Sequence, residues 1–252
     1  MPSLEELQSR RVYELRLTPD RALQSFDGAE AFLRERGLLT RTADSALPSL
    51  YEACHEEEYR PGRGGFATWP RTKWPWFHEL AARPGIHPLK VHNGKSILFT
   101  DETLALADAI LRAELERMER ADPAWARLLG HLAEAGASTI EDLRVELELK
   151  PKELKLILSP LLRCGAVVRN VEDIQHEEYV RYDQAYPEAR GGSGLAELIV
   201  AGVRAAVVAP ERELKRWFSW RWLFEPDLVD RLVEEGRLER PERGWVAAPE
   251  IV

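Results

Sequence analysis

The chain has 252 residues, 44% of them hydrophobic and 31% charged, with a formal net charge of −8. This is the composition of a folded globular protein rather than a disordered one, and the length admits one large domain or two to three small ones. An acidic body excludes a whole-molecule clamp for nucleic acid, so any anion-binding surface has to be a local patch. Two cysteines, Cys54 and Cys164, exclude a disulfide framework and a cysteine-based metal site and read as buried free thiols. No apolar run reaches the ~18–20 residues a bilayer span needs. The opening MPSLEELQSRRVYEL lacks the apolar stretch of a signal peptide. The expectation is a cytoplasmic protein with no membrane association.

Residues 11–17 alternate apolar and polar side chains, with Val12, Leu15 and Leu17 prominent, which predicts a short strand. Pro19 and Asp20 open a helical stretch. Asp27 is placed to cap a helix over 28–36 that Gly37 stops. A further helix is predicted over 48–58, carried by Leu50, Tyr51 and Cys54.

Charge then becomes uneven. Residues 59–95 hold seven basic side chains (Arg60, Arg63, Arg71, Lys73, Arg83, Lys90, Lys95) against the single acid Glu79, a segment charge of +6 that leaves −14 on the rest. Trp69, Trp74 and Trp76 lie in the same segment, with His78, His87 and His92. Phosphates attract guanidinium groups and base faces stack on indoles. Arg60, Arg63, Arg71, Lys73, Trp74, Trp76, His92 and Lys95 are therefore candidate nucleic-acid contacts. The same composition also suits a packed connector with its tryptophans inside and its arginines outside.

Asn93-Gly94 sits between two β-prone runs and predicts a hairpin with strands 89–92 and 96–100, because a type I′ turn needs positive φ at both central residues. Asp101 should cap a long helix over about 102–120, and Asp122-Pro123 should end it and open the next.

Residues 123–183 form the clearest module. An amphipathic helix over 124–135 ends at Gly136. Ser138-Thr139 caps a second helix over 139–147. Pro151 takes the N1 position of a third over 151–163, which Pro160 should kink. Residues 166–170 and 177–183 then form a hairpin across 171–176. Three short helices and a hairpin make a winged helix-turn-helix pattern. Its third helix would enter the major groove, offering Lys152 and Lys155 for phosphate contact, with Lys150 and Arg163 nearby. The wing acids Glu172, Asp173, Glu177 and Glu178 are a poor match to a phosphate and favour internal packing or protein contact for this module taken alone.

After the linker RGGSG (190–194), helices predicted over 195–208, 210–222 and 226–235 and a hairpin of 237–240 with 244–248 repeat the order. Arg216 on the second of these helices is a secondary candidate contact. Trp217, Trp220 and Trp222 read as core or interface residues. The predicted fold class is mainly α with small β-hairpins (α+β), arranged as tandem winged helix-turn-helix modules. The expected domains are 1–122, carrying the basic Trp-rich segment, 123–189 and 190–252.

The segments LPSLYEAC (47–54), WPRTKWPWFHEL (69–80), KVHNGKSILFT (90–100), STIEDLRVELELKPKELKLILSPLLR (138–163) and LVDRLVEEGRLERPERGWV (228–246) together resemble a bacterial winged-helix family related to the alkylpurine and crosslink-repair DNA glycosylases. The resemblance implies tandem winged helices around a concave basic DNA channel. In the glycosylases themselves a Gln-x-Gln or Gln-x-Asp motif positions the hydrolytic water. None of Gln8, Gln24, Gln175 and Gln184 begins such a motif, so the match is to the non-catalytic relatives and no catalytic residue is carried over.

Other chemistry is thinly represented. His55-Glu56 opens like a zincin motif, but position 59 is Tyr. His78, His87 and His92 could meet on a zinc ion, though core or DNA-facing roles are commoner uses of histidine. No P-loop, dinucleotide fingerprint or nucleophile elbow is present. No metal or cofactor is expected. The leading expectation is a non-enzymatic protein that binds DNA, double-stranded before single-stranded, in repair or regulation. A glycosylase or lesion sensor, with a base pocket lined by Trp74, Trp76, His78 and Glu79, is a second reading. A winged-helix protein-interaction scaffold is a third.

Overall fold

The computed structural model describes residues 2–60, 69–170, 177–188, 191 and 194–249. Arg63 and the hairpin tip 171–176 lie outside the described residues. The chain is α+β, mostly helical with small antiparallel sheets.

It opens with helix α1 (Leu4–Glu14), where alternation predicts a strand. The local chemistry is that of a helix start. Ser3 and Glu6 form a reciprocal capping box, and Glu5 and Glu6 sit in the positive first turn. The alternating run straddles the end of this helix and Arg16, whose φ is 57°. Leu7 and Leu15 pack on Val208 and Ala247, while Val12 and Tyr13 face outward.

Helix α2 (Phe26–Arg36) is capped by Ser25 rather than Asp27 and stopped by Gly37 in the left-handed region. Strand β1 (Leu38–Thr40) follows. The predicted helix 48–58 is only α3 (Leu50–Cys54), capped by Ser49 and ended by His55 at φ 43°. Helix α4 (Trp76–Ala81) leads to β2 (Ile86–His92) and β3 (Lys95–Thr100). These strands turn at Asn93 and Gly94, with φ of 52° and 83°, as the Asn-Gly signal predicts. The sheet order is β1-β3-β2.

Helix α5 (Asp101–Ala121) runs out of this unit. Thr100, not Asp101, takes its N-cap position. Asp122 caps α6 (Pro123–Ala135) by accepting from the Ala124 N–H at 2.7 Å. Strand β4 (Ser138–Thr139) leads into α7 (Ile140–Glu146), which opens with a Thr139–Asp142 capping box. Helix α8 (Pro151–Cys164) carries through Pro160 and stops at Gly165. Strands β5 (Val167–Asn170) and β6 (Glu178–Arg181) close a sheet of order β4-β6-β5. The chain then turns into the short helix α9 (Tyr182–Ala185), which buries Tyr182 where the sequence predicts an extended strand.

The last part runs α10 (Leu195–Ala206), β7 (Val208–Pro210), α11 (Glu211–Leu214), α12 (Leu228–Glu234) and β8 (Trp245–Ala247). Strand β8 pairs with β7, and its Ala247 also bridges Glu239. The predicted helix 210–222 does not form. It shrinks to α11 and a 3-10 turn over Arg221–Leu223. Trp217, Phe218 and Trp220 are all buried and the Phe218 and Trp220 rings stack at 5.9 Å, whereas on a helix residues two apart do not face each other. The irregular segment instead lays Ser219 against β2, where its N–H (2.7 Å) and hydroxyl (2.9 Å) both donate to the Val91 carbonyl.

One chain order thus recurs three times: helix, strand, helix, helix, strand, strand. The third strand lies between the first and second each time, with Glu239 standing for the second strand in the last unit. The first unit buries α2, α3 and α4 around Phe32, Leu50 and Phe77. The second buries α6, α7 and α8 around Leu129, Leu143 and Leu158. The largest apolar cluster sits between units, where β2, β3 and α5 meet α10, Trp217 and Trp220. Among the described residues, no helix is long and apolar enough to cross a membrane.

Candidate nucleic-acid interface

The basic Trp-rich segment folds onto the first unit rather than away from it. Trp69, Trp74 and Trp76 are half-buried against its core. Trp74 stacks on Trp69 with centroids 6.1 Å apart, and its carbonyl accepts from the Tyr51 hydroxyl at 2.8 Å. Trp76 packs edge-on against Phe26. Each indole therefore has an intramolecular ring partner.

The cations of this segment divide in two. Arg60 and Arg71 are exposed; Arg60 lies over the Tyr59 ring, and Arg71 is 3.5 Å from the exposed carboxylate of Glu57. Exposed pairs of that kind contribute little and exchange readily for phosphate. Lys73 is committed inward, donating to the Leu23 carbonyl at 2.8 Å and lying over Trp76. Lys95 is paired with Asp44 at 2.5 Å.

His92 does not stand at a surface. It is 3% exposed, and its Nδ1–H donates to the Trp217 carbonyl at 2.6 Å. Burial holds its pKa below the usual imidazole value. The adjoining hairpin tip is clasped by the last unit: Asn93 donates to the Arg216 carbonyl and accepts from Arg221 at 2.7 Å. The hairpin is an internal joint, and no contact with an outside ligand is available to His92 in this arrangement. The three histidines do not converge. His87 lies 2.9 Å from Asp101 and 3.2 Å from the Tyr186 hydroxyl. His78 contacts the rings of Trp74 and Phe77. Among the described residues, no three His, Cys, Asp or Glu side chains are grouped to hold a metal.

Lys152 and Lys155 are exposed on the N-terminal half of α8, and Arg216 is exposed after α11. The C-terminal half of α8 packs instead against β2 and α5. Leu162 there lines a cavity between the first and second units.

That cavity, of about 90 Å³, gathers residues the sequence does not link: Arg41 just after β1, His78 on α4, Lys90 in β2 and Arg169 in β5. All four are half-buried. Arg169 pairs with Glu177, the single acid that lines the cavity among the described residues. The Arg41 guanidinium lies 4.7 Å from the Trp69 ring and 5.8 Å from the Phe77 ring, and its Nε is buried with no hydrogen-bond partner. Burial lowers the pKa of Lys90 and of His78, and the charges of Arg41 and Arg169 lower both further. The composition of 59–95 places Lys90 and His78 in a basic segment, but Arg41 and Arg169 sit in other elements. The sheet order β1-β3-β2 brings in Arg41, and the packing of β2 against β5 brings in Arg169. Trp74, Trp76 and Glu79, expected beside His78 in a base pocket, do not line this cavity.

No family model matches the chain, and no curated protein matches it. Among solved structures, the Streptomyces sahachiroi DNA glycosylase AlkZ is similar, with a TM-score of 0.54 over 98% of this chain and 70% of that one, at 14% sequence identity. The likeness is one of fold.

Proposed function

We propose that this protein binds double-stranded DNA through three winged-helix modules, 1–122, 123–189 and 190–252, and that it does so without excising a base. The recurrence of one helix–strand–helix–helix–strand–strand order in three units carries this reading. In a module of that kind the third helix is the one presented to the groove. In the second unit that helix is α8, whose exposed half carries Lys152 and Lys155. Arg60, Arg71 and Arg216 would add backbone contacts, which position a protein on DNA without reading sequence. Similarity to a DNA glycosylase fold supports DNA as the partner. The four glutamines form no Gln-x-Gln pair, which supports binding over hydrolysis.

The test is fluorescence anisotropy with duplex and single-stranded DNA at two salt concentrations. Salt-sensitive binding with duplex preferred is the expected result. No binding at the lower salt overturns the reading.

One observation favours a second reading. Val145 on α7 and Leu156 on α8 are 64% and 68% exposed, which suits a protein partner better than a phosphate. Absence of DNA binding would shift the proposal to that scaffold role.

A further inference from the structure

We infer that the cavity between the first and second units is a binding site for a phosphate oxyanion, held by Lys90, Arg41, Arg169 and His78. The chemistry of the lining points there. Three permanent or near-permanent cations and an imidazole converge on one small space, with Glu177 as the one opposing charge among the described residues. Like charges gathered in a half-buried site repel one another and lose hydration, which is unfavourable unless an anion joins them. Among the described residues, the Lys90 ammonium has neither a hydrogen bond nor an ion pair, and no carboxylate pairs with the Arg41 guanidinium.

The walls sharpen the selection. Phe77, Leu89, Leu162 and Val168 line the same space, so an ion inside meets low-dielectric surroundings where each charged contact counts for more. The volume is several times the ~10–15 Å³ that a single ordered water requires. A tetrahedral dianion carries more charge than a carboxylate and spreads its acceptor oxygens out of one plane, so it can accept from a guanidinium fork and an ammonium that approach from different sides. An anion there would also raise the His78 pKa toward its ordinary value and recruit it as a further donor.

The phosphate could belong to a DNA backbone or be free in solution. The inference rests on the cavity alone, and the DNA reading enters only in naming the first of these sources. Lys90→Met removes one charge and keeps the apolar stem. Because it removes a repulsive partner, it is expected to raise the melting temperature in phosphate-free buffer. Inorganic phosphate, against chloride at equal ionic strength, is expected to raise the wild-type melting temperature to a plateau. The phosphate affinity read from that rise should fall about tenfold or more in Lys90→Met, the worth of one charged hydrogen bond, and return in Lys90→Arg.

The same variants are titrated with duplex DNA beside Arg127→Gln, which removes an exposed charge on α6. DNA affinity lost in Lys90→Met well beyond the loss in Arg127→Gln identifies a backbone phosphate. A lost phosphate response with unchanged DNA binding, or with no DNA binding in any protein, identifies a free phosphate and leaves the site standing without the DNA reading. If Lys90→Met alters neither the phosphate response nor DNA affinity beyond the Arg127 control, the inference is wrong, even where wild-type DNA binding is strong.

Discussion

The Trp220 indole N–H donates to the carbonyl of Cys164 at 3.0 Å, joining the last unit to the end of α8. Both residues are buried. The neighbouring Ser219 is bonded twice to Val91, so a few residues of irregular chain fasten the third unit to the other two. Trp220→Phe keeps most of the apolar area but strands a buried carbonyl. A loss of about 1–3 kcal/mol in urea unfolding is expected, the cost of leaving one partner of a buried hydrogen bond unsatisfied. A change within a few tenths of a kcal/mol would show that water takes the indole's place.

Gly165 is required for two separate reasons. Its φ is 88°, and a Cβ there would stand 2.2 Å from Leu111 Cδ2 and 3.2 Å from Val91 Cγ1. Gly165→Ala should add about 1–2 kcal/mol for the left-handed backbone and about 1–3 kcal/mol for overpacking. Gly236 also has positive φ, at 68°, and a Cβ there would meet nothing within 4 Å, so Gly236→Ala should show a backbone cost without crowding. A drop in urea midpoint for Gly165→Ala no larger than for Gly236→Ala would show that Leu111 and Val91 give way to the added methyl.

The joint between hairpin and third unit should weaken in acid. Burial holds the His92 pKa below its ordinary value, outweighing the hydrogen bond to Trp217 and the charge of Asp44, which raise it. The folded state therefore binds fewer protons at this group than the unfolded chain. Its stability is complete above the unfolded pKa near 6.5 and falls as the pH drops through that value. His78 shifts in the same direction, by burial and then by Arg41 and Arg169. Urea midpoints at about pH 7.5 and about pH 5.5, bracketing the ordinary imidazole range, should differ more for the wild type than for His92→Gln. Equal differences would place the acid sensitivity elsewhere.

Both cysteines should be silent in the native protein. Burial pushes the Cys54 and Cys164 thiols up to about 12, and the thiolate is the reactive form. Disulfide-exchange reagents at about pH 8, near the ordinary thiol pKa, are expected to modify neither thiol until denaturant is added, and then to modify two. Fast modification of either one in native buffer would mean that α3 or the end of α8 opens locally.

Local chemistry is legible in the sequence wherever it acts over a few residues. Asn93-Gly94 specifies its turn, Gly37 and Gly165 end their helices, and Asp122 and Thr139 cap theirs. The failures lie where tertiary packing overrides local pattern. Residues 210–222 look helical, yet Trp217, Phe218 and Trp220 are drawn together into one core. The tryptophans at 69, 74 and 76 suit a stacking surface and a packed connector alike, and only the packing shows them half-buried against the core of the first unit. His92 reads as a residue at a ligand-facing tip, but the partner of that tip is the third unit. The Arg41–Lys90–Arg169 cluster is invisible in the sequence for a related reason: its members are far apart along the chain and meet through strand packing alone.

The same division predicts which cations matter for DNA. Arg71 is exposed with one weak partner, whereas Lys73 is bonded to Leu23 and covers Trp76. Arg71→Glu should therefore weaken duplex binding at unchanged melting temperature, and Lys73→Glu should lower the melting temperature first. On α8, Lys152 and Lys155 are both exposed and neither holds the core together. If each neutralises one phosphate, Lys152→Glu with Lys155→Glu should reduce the slope of log affinity against log salt by about 1.8 units, at ~0.9 per contact on B-DNA. The loss should be similar across DNA sequences, because phosphate contacts carry no base information. A slope equal to the wild type's would remove α8 from the interface and leave DNA contact to the first and third units.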